Sequence, residues 1–549
     1  MSRSILVVGA GPTGLMAAAC LARFGVPVRL IDRATTPPDD RSRAAIVQPR
    51  TLEAFDNLGI ADQAIAAGQL VDSVNLFSPS GSRGTLTFAR AGWLDSPYDR
   101  LLALPQDQTE RILTELVEKL GVVVERGVEL TGLVQGENGV VATVREAANG
   151  ATEVIDAGWV FGADGAHSKV RELSGLTFDG TTYPDEGLIG DVDVDWKLPH
   201  DTVSLCPQAD GFILAFPLPG ERHFRIIMIV PNATMSEDRH LGLEEFRERL
   251  EAMTPRGQGS GDGPPHILAV HWLTRYRLHR RGVSSYQRGR IFVGGDAAHI
   301  HSPVGAQGMN TGIQDAYNFA WKAALVARQQ APNWLLDTYD EERRPIGELL
   351  LEGTDKAFGF VAGHGFISRT IRRIAPTIGA RGLAVPLIAR TLARFVSQLG
   401  IKYRHSRLSV EGPGASTLGK NAPRAGDRAP DVKLQTPTGG PCRLFDAFRE
   451  PRHTLVVFTP NASGADPATL DNVRQSFSPL LGVLRIGLRN GAAEMIDSDG
   501  TAHARYGAEQ GAIYLIRPDG YIGFRGSLAD RDALIADLHR RFGVTGGRN

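Results

Sequence analysis

The feature that most constrains the fold is a glycine-rich turn between an apolar strand and a helix near the start of the chain. The turn reads Gly9-x-Gly11-x-x-Gly14 and follows the apolar run at residues 4–8. Gly9 permits a tight turn, Gly11 lets the backbone approach a pyrophosphate, and Gly14 lets the helix pack closely on the strand. Asp32 ends the next apolar strand, where a carboxylate can hydrogen-bond a ribose. The pattern predicts a βαβ unit that binds a dinucleotide, and a purely structural glycine turn is the alternative.

Two further clusters of glycine and aspartate follow predicted strands later in the chain. One cluster contains Asp164, and the other contains Asp296 and leads into a predicted helix at Asn310. A carboxylate at the end of a strand can hold a sugar-like hydroxyl, and a helix N-terminus can stabilise negative charge. NAD needs only one such cradle. Three cradles spread from Gly9 to Asn310 fit a long cofactor in an extended conformation, which indicates FAD.

The order of the predicted elements indicates an α/β protein with more than one domain. The chain has 549 residues, which is too long for a single hydrophobic core. We predict a Rossmann-like FAD-binding domain, with its following helices, from residues 1–173 and 286–410. An inserted substrate-binding domain at 174–285 is expected to be mostly antiparallel sheet, because residues 190–195 alternate with period two, as in a half-exposed strand. Residues 421–549 are expected to form a small α/β domain.

The composition argues against several classes of protein. Lys and Arg number 60 against 61 Asp and Glu, so no global field draws the chain to nucleic acid or to an anionic membrane. The three cysteines are scattered and lack metal-ligand spacing, so neither a disulfide scaffold nor a metal site is predicted. A reducing cytoplasm is the expected location. The apolar run at residues 5–22 is interrupted by the glycine-rich turn, so we expect no integral membrane segment.

These motifs together resemble those of the group A flavoprotein aromatic hydroxylases, the family of phenol hydroxylase and p-hydroxybenzoate hydroxylase. The likeness covers roughly residues 4–360, where the glycine-rich turn, Asp32 and the Asp164 and Asp296 motifs occur in the family's order. It implies a monooxygenase that uses FAD, NAD(P)H and O2. Such an enzyme hydroxylates a small aromatic substrate, usually a phenol, through a flavin C4a-hydroperoxide.

The resemblance also implies contacts to the cofactor, residue by residue. Asp32 and Arg33 would hold the adenosine end of FAD. Arg43 and Gln106 would hold the diphosphate and ribityl region, and Asp296 would bind the ribityl hydroxyls. The complete set of predicted cofactor contacts is Gly9, Gly11, Pro12, Thr13, Gly14, Asp32, Arg33, Arg43, Gln106, Asp164, Asp296, Pro303, Gly308, Met309 and Asn310.

The flavin end of the cofactor is assigned in the same way. Pro303 would lie against the isoalloxazine ring, and the helix that begins near Gly308, Met309 and Asn310 would face its N1/O2 side. Asp164 belongs to a motif that the family associates with both FAD and NAD(P)H. Members of the family have no second nucleotide-binding domain, and the sequence shows none, so NAD(P)H would bind only transiently.

No catalytic base is assigned from the sequence. Some phenol hydroxylases carry an Asp in the loop after the second strand, but residues 44–48 here contain no acid. His299 belongs to the Asp296 motif, so a structural role is favoured over acid–base chemistry. From the expected position of the inserted sheet, the substrate pocket is predicted to draw on Val47, Phe216, Arg225 and Trp272.

From about Asn421 the chain resembles the thioredoxin-like C-terminal domain found in several of these hydroxylases. Residues 426–430 and 455–458 match the beginning of that domain. The segment 459–464 contains no cysteine, and dithiol exchange needs a thiolate and a resolving thiol. A redox role is therefore not expected, and an assembly or structural role is the default.

Other functions would share these motifs. The same fold could serve an oxygenase that tailors a polyketide or inactivates an antibiotic, or a flavin-binding protein without turnover. Residues 366–410 contain nine Lys or Arg and no Asp or Glu. Basic helices here would dock on an acidic body or on a partner subunit, such as a second copy in a homodimer, and a membrane surface is the less favoured alternative.

Overall fold

The computed structural model describes most of the chain. The described residues are 4–37, 44–77, 83–88, 94–208, 211–230, 240–254, 265–301, 307–362, 385–459, 467–489 and 493–543. Two predicted cofactor contacts, Arg43 and Pro303, lie outside the described residues, as does the first part of the basic segment 366–410.

The described helices are spread over the whole chain. They are α1 Pro12–Arg23, α2 Pro49–Leu58, α3 Ala61–Ala67, α4 Gln106–Lys119, α5 Lys169–Leu173, α6 Leu243–Met253, α7 Gly308–Ala327, α8 Trp334–Ala362, α9 Pro386–Val396, α10 Pro467–Ser476, α11 Thr501–Tyr506 and α12 Arg531–Phe542.

The strands fall into three larger sheets and two small ones. Up to residue 162 they are β1 Ile5–Val8, β2 Val28–Asp32, β3 Ile46–Val47, β4 Gln69–Val71, β5 Ser73–Phe77, β6 Arg83–Thr87, β7 Leu101–Ala103, β8 Val124–Arg126, β9 Val128–Gln135, β10 Val140–Glu146, β11 Thr152–Ala157 and β12 Trp159–Gly162. Up to residue 300 they are β13 Phe178–Asp195, β14 Thr202–Gln208, β15 Gly211–Pro217, β16 His223–Val230, β17 His266–Val283, β18 Gln287–Arg288, β19 Ile291–Val293 and β20 His299–Ile300. The remaining strands are β21 Val410–Glu411, β22 Lys433–Gln435, β23 Pro441–Arg443, β24 His453–Thr459, β25 Leu481–Gly487, β26 Met495–Ile496, β27 Ala512–Ile516 and β28 Ile522–Gly526.

The first large sheet is mostly parallel and has the order β18-β19-β12-β1-β2-β8. β1 lies at its centre, parallel to both β2 and β12. All four residues of β1 are apolar and buried, as expected for a strand covered on both faces. The glycine-rich turn therefore lies at the carboxyl end of a central strand, where ligands bind in open α/β sheets. This arrangement confirms the predicted Rossmann-like domain.

The second large sheet has the order β20-β17-β13-β16-β15-β14-β5-β6, and β13 pairs antiparallel with both β16 and β17. Its two faces have different environments. Leu188 packs with Phe246 of α6, whereas the next residue, Ile189, belongs to the opposite face with Phe216. Two strands, β5 and β6, come from residues 73–87, outside the segment 174–285 predicted for this sheet.

One aspartate of β13 differs from the sequence expectation of a half-exposed strand. Asp191 is only 5% exposed, although it alternates with apolar residues that point to the other face. It lies directly across from Arg225 of β16 and forms an ion pair with it. The polar face of the strand is therefore buried here, because a partner charge compensates the carboxylate.

The C-terminal sheet has the order β21-β28-β27-β24-β25-β26-β22-β23. β24 and β25 are parallel and are connected through α10, while β27 and β28 are antiparallel neighbours. Successive residues of β24 pack into different cores: Leu455 and Val457 on one face, Val456 and Phe458 on the other. Both faces are therefore covered, which explains the unbroken apolar run in this strand.

The C-terminal domain is fastened to the first domain through buried charges. Arg517 donates hydrogen bonds of 2.6 and 2.8 Å to the two carboxylate oxygens of Glu342 in α8. Glu342 also accepts a bond of 2.8 Å from the ammonium group of Lys322 in α7, and all three side chains are 0% exposed. A second buried pair joins Arg428 to Glu53 of α2 at 2.9 Å. We refer to Arg517, Glu342, Lys322, Arg428 and Glu53 as the interdomain charge network.

Among the described helices, none combines the length and the apolar character needed to cross a membrane.

Candidate active site

A cavity of about 590 Å³ lies between the glycine-rich turn and one face of the second large sheet. The first domain contributes Gly11, Pro12 and Thr13 of the turn, together with Gln106 and Asp296. The sheet contributes residues from β13, β15, β16 and β17. The cavity therefore combines predicted cofactor contacts on one side with the predicted substrate-binding sheet on the other.

Three helices direct their N-termini at this cavity. Gly11 is the N-cap of α1, Gln106 is the first residue of α4, and Gly308 is the first residue of α7. Within the described residues, no side chain caps any of these three N-termini. A helix N-terminus presents unpaired N–H groups and about half a positive charge, so it attracts anions. Their convergence suits a ligand with several negative charges, such as a diphosphate.

The three glycines of the turn are needed for different reasons. Gly9 has φ 102°, and a Cβ atom on it would lie 2.3 Å from the carbonyl oxygen of Ala163. A Cβ on Gly14 would lie 1.8 Å from the carbonyl oxygen of Gly9. A Cβ on Gly11 would meet no atom of the described residues within 4 Å, although this residue lines the cavity. Packing therefore requires Gly9 and Gly14, whereas the space beside Gly11 is left open for a ligand.

Asp32 ties the glycine-rich turn to the end of β2. Its carboxylate accepts hydrogen bonds from the backbone N–H groups of Ala10, at 2.5 Å, and Ala34, at 2.7 Å. The neighbouring Arg33 is exposed. Neither residue is among the described residues that line the cavity. In this structure, then, Asp32 holds the loop on which a dinucleotide would rest.

Gln106 lies at the junction of α4 and the loop after β2. Its backbone N–H donates to the carbonyl oxygen of Ala44 at 3.1 Å, and its side-chain amide donates to Glu110 at 2.7 Å. Burial raises the pKa of Glu110 to about 7, and the negative charge of Asp32 acts in the same direction. A buried carboxyl group with a raised pKa thus lies one helical turn from Gln106 in the cavity wall.

The two aspartates of the later motifs have different surroundings. Asp164 accepts hydrogen bonds from the Ser168 hydroxyl at 2.5 Å and from the backbone N–H groups of Lys169 and Val170 at 2.6 and 3.1 Å. It therefore caps the first turn of α5, and burial raises its pKa. Asp296 is exposed and lines the cavity. Of the two, Asp296 is the one whose side chain can reach a ligand there.

The first residues of α7 face either the cavity or the core. Gly308 and Met309 line the cavity, whereas Asn310 is fully buried. The Asn310 side chain accepts hydrogen bonds from the Gln48 backbone at 2.9 Å and the Thr51 hydroxyl at 2.7 Å. Its amide donates to the carbonyl oxygen of Ile46 at 2.8 Å. Asn310 thus fastens the loop after β3 to the helix N-terminus that faces the cavity.

A buried cluster supports the turn that holds Asp296. Asp315 lies 2.8 Å from Nε2 of His299 and accepts hydrogen bonds from Arg343 at 2.7 Å and from the Gly295 backbone at 3.0 Å. Burial opposes ionisation of this carboxyl, but Arg343 and His299 keep the pKa of Asp315 below its usual value. His299 therefore lies behind the cavity wall, where it supports the turn that holds Asp296.

The cavity wall is strongly basic. The described residues that line it include four arginines and one aspartate, namely Arg171, Arg225, Arg277, Arg281 and Asp296. Burial lowers the pKa of Arg171, and the nearby Arg281 contributes to this shift. A concave site with an excess of one charge raises the local concentration of the opposite charge. The wall therefore favours an anionic ligand.

The sheet side of the cavity is mainly apolar. Phe216 of β15, Ile189 of β13, Ile227 of β16 and Leu278 of β17 all line it. Of the predicted substrate contacts on the sheet, Phe216 thus faces the cavity. An apolar wall of this kind packs against a flat ring and keeps water away from it.

Arg225 lines the cavity and is held rigidly. Its guanidinium donates to both oxygens of Asp191, at 2.6 and 2.7 Å, and to the carbonyl oxygen of Ala44 at 2.7 Å. The Trp272 indole donates to the same Asp191 carboxylate at 3.1 Å, and its ring lies 5.3 Å from the Arg225 guanidinium carbon. Trp272 is not among the described lining residues; it supports Arg225 from behind. This cluster also joins the sheet to the loop that begins at Ala44.

Val47 lies next to a cavity residue. Ile46 lines the cavity, whereas Val47 packs into the core of the first domain. The two side chains point in opposite directions because successive residues of a strand alternate between its faces.

Comparison with known families identifies the family of the chain. The family profile described as FAD binding domain matches residues 2–354, and the profile described as aromatic-ring hydroxylase, C-terminal, matches residues 422–545. The chain belongs to the FAD-dependent aromatic-ring hydroxylases. It is therefore a flavin-dependent aromatic monooxygenase with FAD as its cofactor.

Similar proteins span nearly the whole hydroxylase. It is 32% identical to pentachlorophenol 4-monooxygenase of Sphingobium chlorophenolicum, over 97% of this chain and 95% of that protein. It is 34% identical to 6-methylpretetramide 4-monooxygenase of Streptomyces rimosus, over 97% of this chain and 92% of that protein. Its fold matches the solved structure of an anhydrotetracycline hydroxylase from Streptomyces rimosus with a TM-score of 0.76, 27% identity and 99% coverage of both chains.

Several residues of the hydroxylase that line the cavity were not predicted. They include Ala44, Ala45, Ile46, Arg171, Ile189, Ile227, Tyr276, Arg277, Leu278, His279, Arg281, Ile300 and His301. Three of them, Arg277, His279 and Arg281, occur at every second position of β17. This period-two basic stripe is the sequence signal that could have located one edge of the site, because it places three cationic or titratable groups on one face of a strand.

Proposed function

We propose that this hydroxylase inserts one oxygen atom into a phenolic ring that binds between the N-terminus of α7 and the apolar wall formed by Ile189, Phe216 and Ile227. One atom of O2 enters the ring, the other leaves as water, and NAD(P)H supplies the two electrons. The observation that supports this proposal is the shape and charge of the cavity: apolar on the sheet side and basic around it.

The residues around the three helix N-termini fit FAD. Gly11 leaves room for a pyrophosphate, and Asp296 is placed to accept hydrogen bonds from ribityl hydroxyls. The N-terminus of α7, at Gly308 and Met309, would stabilise negative charge on the flavin ring. Bound FAD would accept hydride from NAD(P)H and activate O2.

The protein's own contribution to the chemistry is positioning and electrostatics. The apolar wall would orient the ring and exclude water from it. The basic lining, with Arg225 fixed by Asp191, would favour the ionised form of a phenol, because nearby positive charge lowers the pKa of an acid. A phenolate is more electron-rich than a phenol and is attacked more readily by electrophilic oxygen. This explains how substrate ionisation is possible although residues 44–48 provide no carboxylate base.

A substrate larger than a single ring is the second candidate. Two of the similar proteins are named for 6-methylpretetramide and anhydrotetracycline. The cavity volume of about 590 Å³ also lies within the range of sites that bind drug-sized ligands.

The test is a panel of single-ring phenols, fused-ring phenols and their O-methyl ethers, assayed with the FAD-loaded enzyme. The measurements are NAD(P)H oxidation and a product heavier by one oxygen atom. We expect phenols to react and their ethers to fail, and the better ring class identifies the substrate size. Ethers that react as well as phenols would refute the phenolate proposal. Substrate-independent NAD(P)H oxidation without product would favour a protein that binds flavin without hydroxylating.

A matched pair of variants locates the ring. Phe216→Ala should raise KM by about tenfold, because loss of an aromatic contact costs about 1–2 kcal/mol. Phe212→Ala removes a buried ring from the same strand, at a residue that is not among the described lining residues. Phe212→Ala should lower stability and leave KM unchanged. Equal effects on KM would place the substrate elsewhere.

A further inference from the structure

We propose that Asp193, His223 and His271 form a binding site for a divalent transition metal, with Zn²⁺ as the expected ion. The site lies on the second large sheet in a groove of its own, outside the cofactor cavity. One ligand atom from each side chain lies within 4.8 Å of the other two. Two imidazoles and one carboxylate are a ligand set that Zn²⁺ binds with tetrahedral geometry, leaving one position for water.

Three adjacent strands supply one ligand each. Asp193 lies on β13, directly across from His223 on β16. On the other side of β13, the pairing with β17 shifts between Asp191, which faces Trp272, and Val192, which faces Val270. The shift leaves His271 as the extra residue of a β-bulge.

The bulge explains why the third ligand points to the same face as the other two. A bulge inserts one residue into a strand and re-aims its side chain, and bulges are frequent next to functional sites. Nε2 of His271 lies 3.1 Å from Oδ1 of Asp193 as a result. Two ligand atoms of a tetrahedral zinc site lie about 3.3 Å apart, given zinc–ligand bonds of about 2.0 Å. This pair of atoms is therefore close enough to share an ion, and the ligand atom of His223 lies within 4.8 Å of both.

The orientation of His223 is that of a metal ligand. Its Nδ1 lies 3.3 Å from the carbonyl oxygen of Pro219, which fixes a proton on Nδ1. Its Nε2 is buried and has no hydrogen-bond partner among the residues that the structure describes. Histidines that bind metals typically donate their second ring N–H to a backbone carbonyl or carboxylate, which leaves the other nitrogen as the ligand. The ring of His271 lies beside that of His223, with centroids 4.4 Å apart.

A bound ion would cross-link strands that also hold the cavity wall. Asp193 is two residues from Asp191, the partner of Arg225, and the two carboxylates share one face of β13. Two residues along a strand span about 7 Å. Metal binding should therefore stabilise the sheet directly next to the cluster that fixes Arg225. An ion that binds only the folded chain raises its melting temperature by mass action.

The experiment is a calorimetric titration of the full-length, FAD-loaded chain with Zn²⁺ after treatment with a chelator. We expect saturable binding of one equivalent and a higher melting temperature in the presence of Zn²⁺. His271→Gln and Asp193→Asn should each weaken the affinity by at least about tenfold. The flavin absorbance spectrum of each variant reports whether the fold is intact.

A matched control separates this site from the other histidines of the chain. His266 is exposed on the same strand, β17, and is not part of the cluster. His266→Gln should bind Zn²⁺ as the unmodified chain does. Co²⁺ provides a second readout, because its visible absorption bands should appear with the unmodified chain and be lost in His271→Gln. Absence of saturable binding, or binding that survives both ligand variants, would overturn the proposal.

Discussion

The cofactor cavity and the interdomain charge network are both rich in arginine, but they differ in how that charge is balanced. In the interdomain charge network, Arg517 faces Glu342 and Arg428 faces Glu53, and these side chains are buried. Around the cavity, the described lining residues include four arginines and one aspartate. Buried charge that is paired within the protein holds elements together. Around the cavity, Arg225 is paired with Asp191, but the lining as a whole carries an excess of positive charge that attracts an anionic ligand.

Helix α7 connects these two regions. Its N-terminus, at Gly308, faces the cavity, and Lys322 near its other end belongs to the interdomain charge network. The C-terminal domain therefore supports the helix whose N-terminus faces the cavity without contributing a described residue to the cavity lining. This placement accords with a structural role for the C-terminal domain.

The largest expected effect tests whether a ligand occupies the open space beside Gly11. Gly14→Ala should abolish FAD binding and destabilise the fold, because its Cβ would collide with the Gly9 carbonyl. Gly11→Ala should leave the melting temperature of the FAD-free protein unchanged, since its φ of −77° suits any residue. Its affinity for FAD should nevertheless fall by about tenfold or more, or about 1.4 kcal/mol. Flavin fluorescence titration measures the affinity, and unchanged affinity in Gly11→Ala would mean that the pyrophosphate lies elsewhere.

The next largest effect is expected in the interdomain charge network. Arg517→Met leaves Glu342 and Asp519 without their main partner in a buried setting, which should cost about 3–5 kcal/mol of unfolding free energy. The exposed pair of Arg145 and Glu129 provides the control, and Arg145→Met should cost at most about 1 kcal/mol. Urea denaturation measures both. The turnover of folded Arg517→Met should stay close to normal, and loss of turnover at full occupancy with FAD would contradict the structural role.

Two buried glutamates have pKa values shifted in opposite directions, so their effects on stability depend on pH in opposite ways. Although burial opposes it, Arg517 and Lys322 hold the pKa of Glu342 far below its usual value, whereas burial raises the pKa of Glu110 to about 7. Between the unfolded value of 4.5 and about 7, the folded state binds more protons at Glu110 than the unfolded state does. The contribution of Glu110 to stability is therefore complete below pH 4.5 and is lost as the pH rises through 7.

Glu110→Gln should remove this dependence. Above pH 7 the variant should be more stable than the unmodified protein by about 1–3 kcal/mol, and near pH 4.5 the two should be alike. The measurement is urea denaturation at a series of pH values on the FAD-free protein. Glu115→Gln, at a partly exposed position of the same helix, should show no such gain above pH 7. A gain that is equal at all pH values would mean that ionisation of Glu110 is not its cause.

The sequence predicted the parts of the site that depend on local geometry. The roles of Gly9 and Gly14 follow from a turn of six residues, and the structure shows the close contacts that exclude a side chain at both positions. Asp32 was likewise located by its place at the end of a strand, although its carboxylate binds the loop backbone in this structure. Such features can be predicted because a few neighbouring residues determine them.

Features that depend on distant partners were not predictable in the same way. The alternation in β13 indicated that Asp191 faces solvent, and only the presence of Arg225, 34 positions away, explains its burial. Glu342 and Arg517 are 175 positions apart, and no pattern in either segment indicates that they meet. The three proposed metal ligands come from three strands, so no metal-ligand spacing exists in the sequence.

The smallest effect is expected at the free thiol of the C-terminal domain. Cys442 is the one cysteine in residues 421–549, so it has no resolving thiol there, and burial raises its pKa, which disfavours the thiolate. Cys442→Ser should leave turnover unchanged and alter stability by no more than about 0.5 kcal/mol. Cys20→Ser is the contrast: Cys20 is buried within α1, and a hydroxyl there should cost about 1–3 kcal/mol. Both variants are assayed for melting temperature and for coupled hydroxylation. Loss of turnover in Cys442→Ser at an unchanged melting temperature would show that the C-terminal domain takes part in the chemistry, and the contrast between cavity and interface would no longer hold.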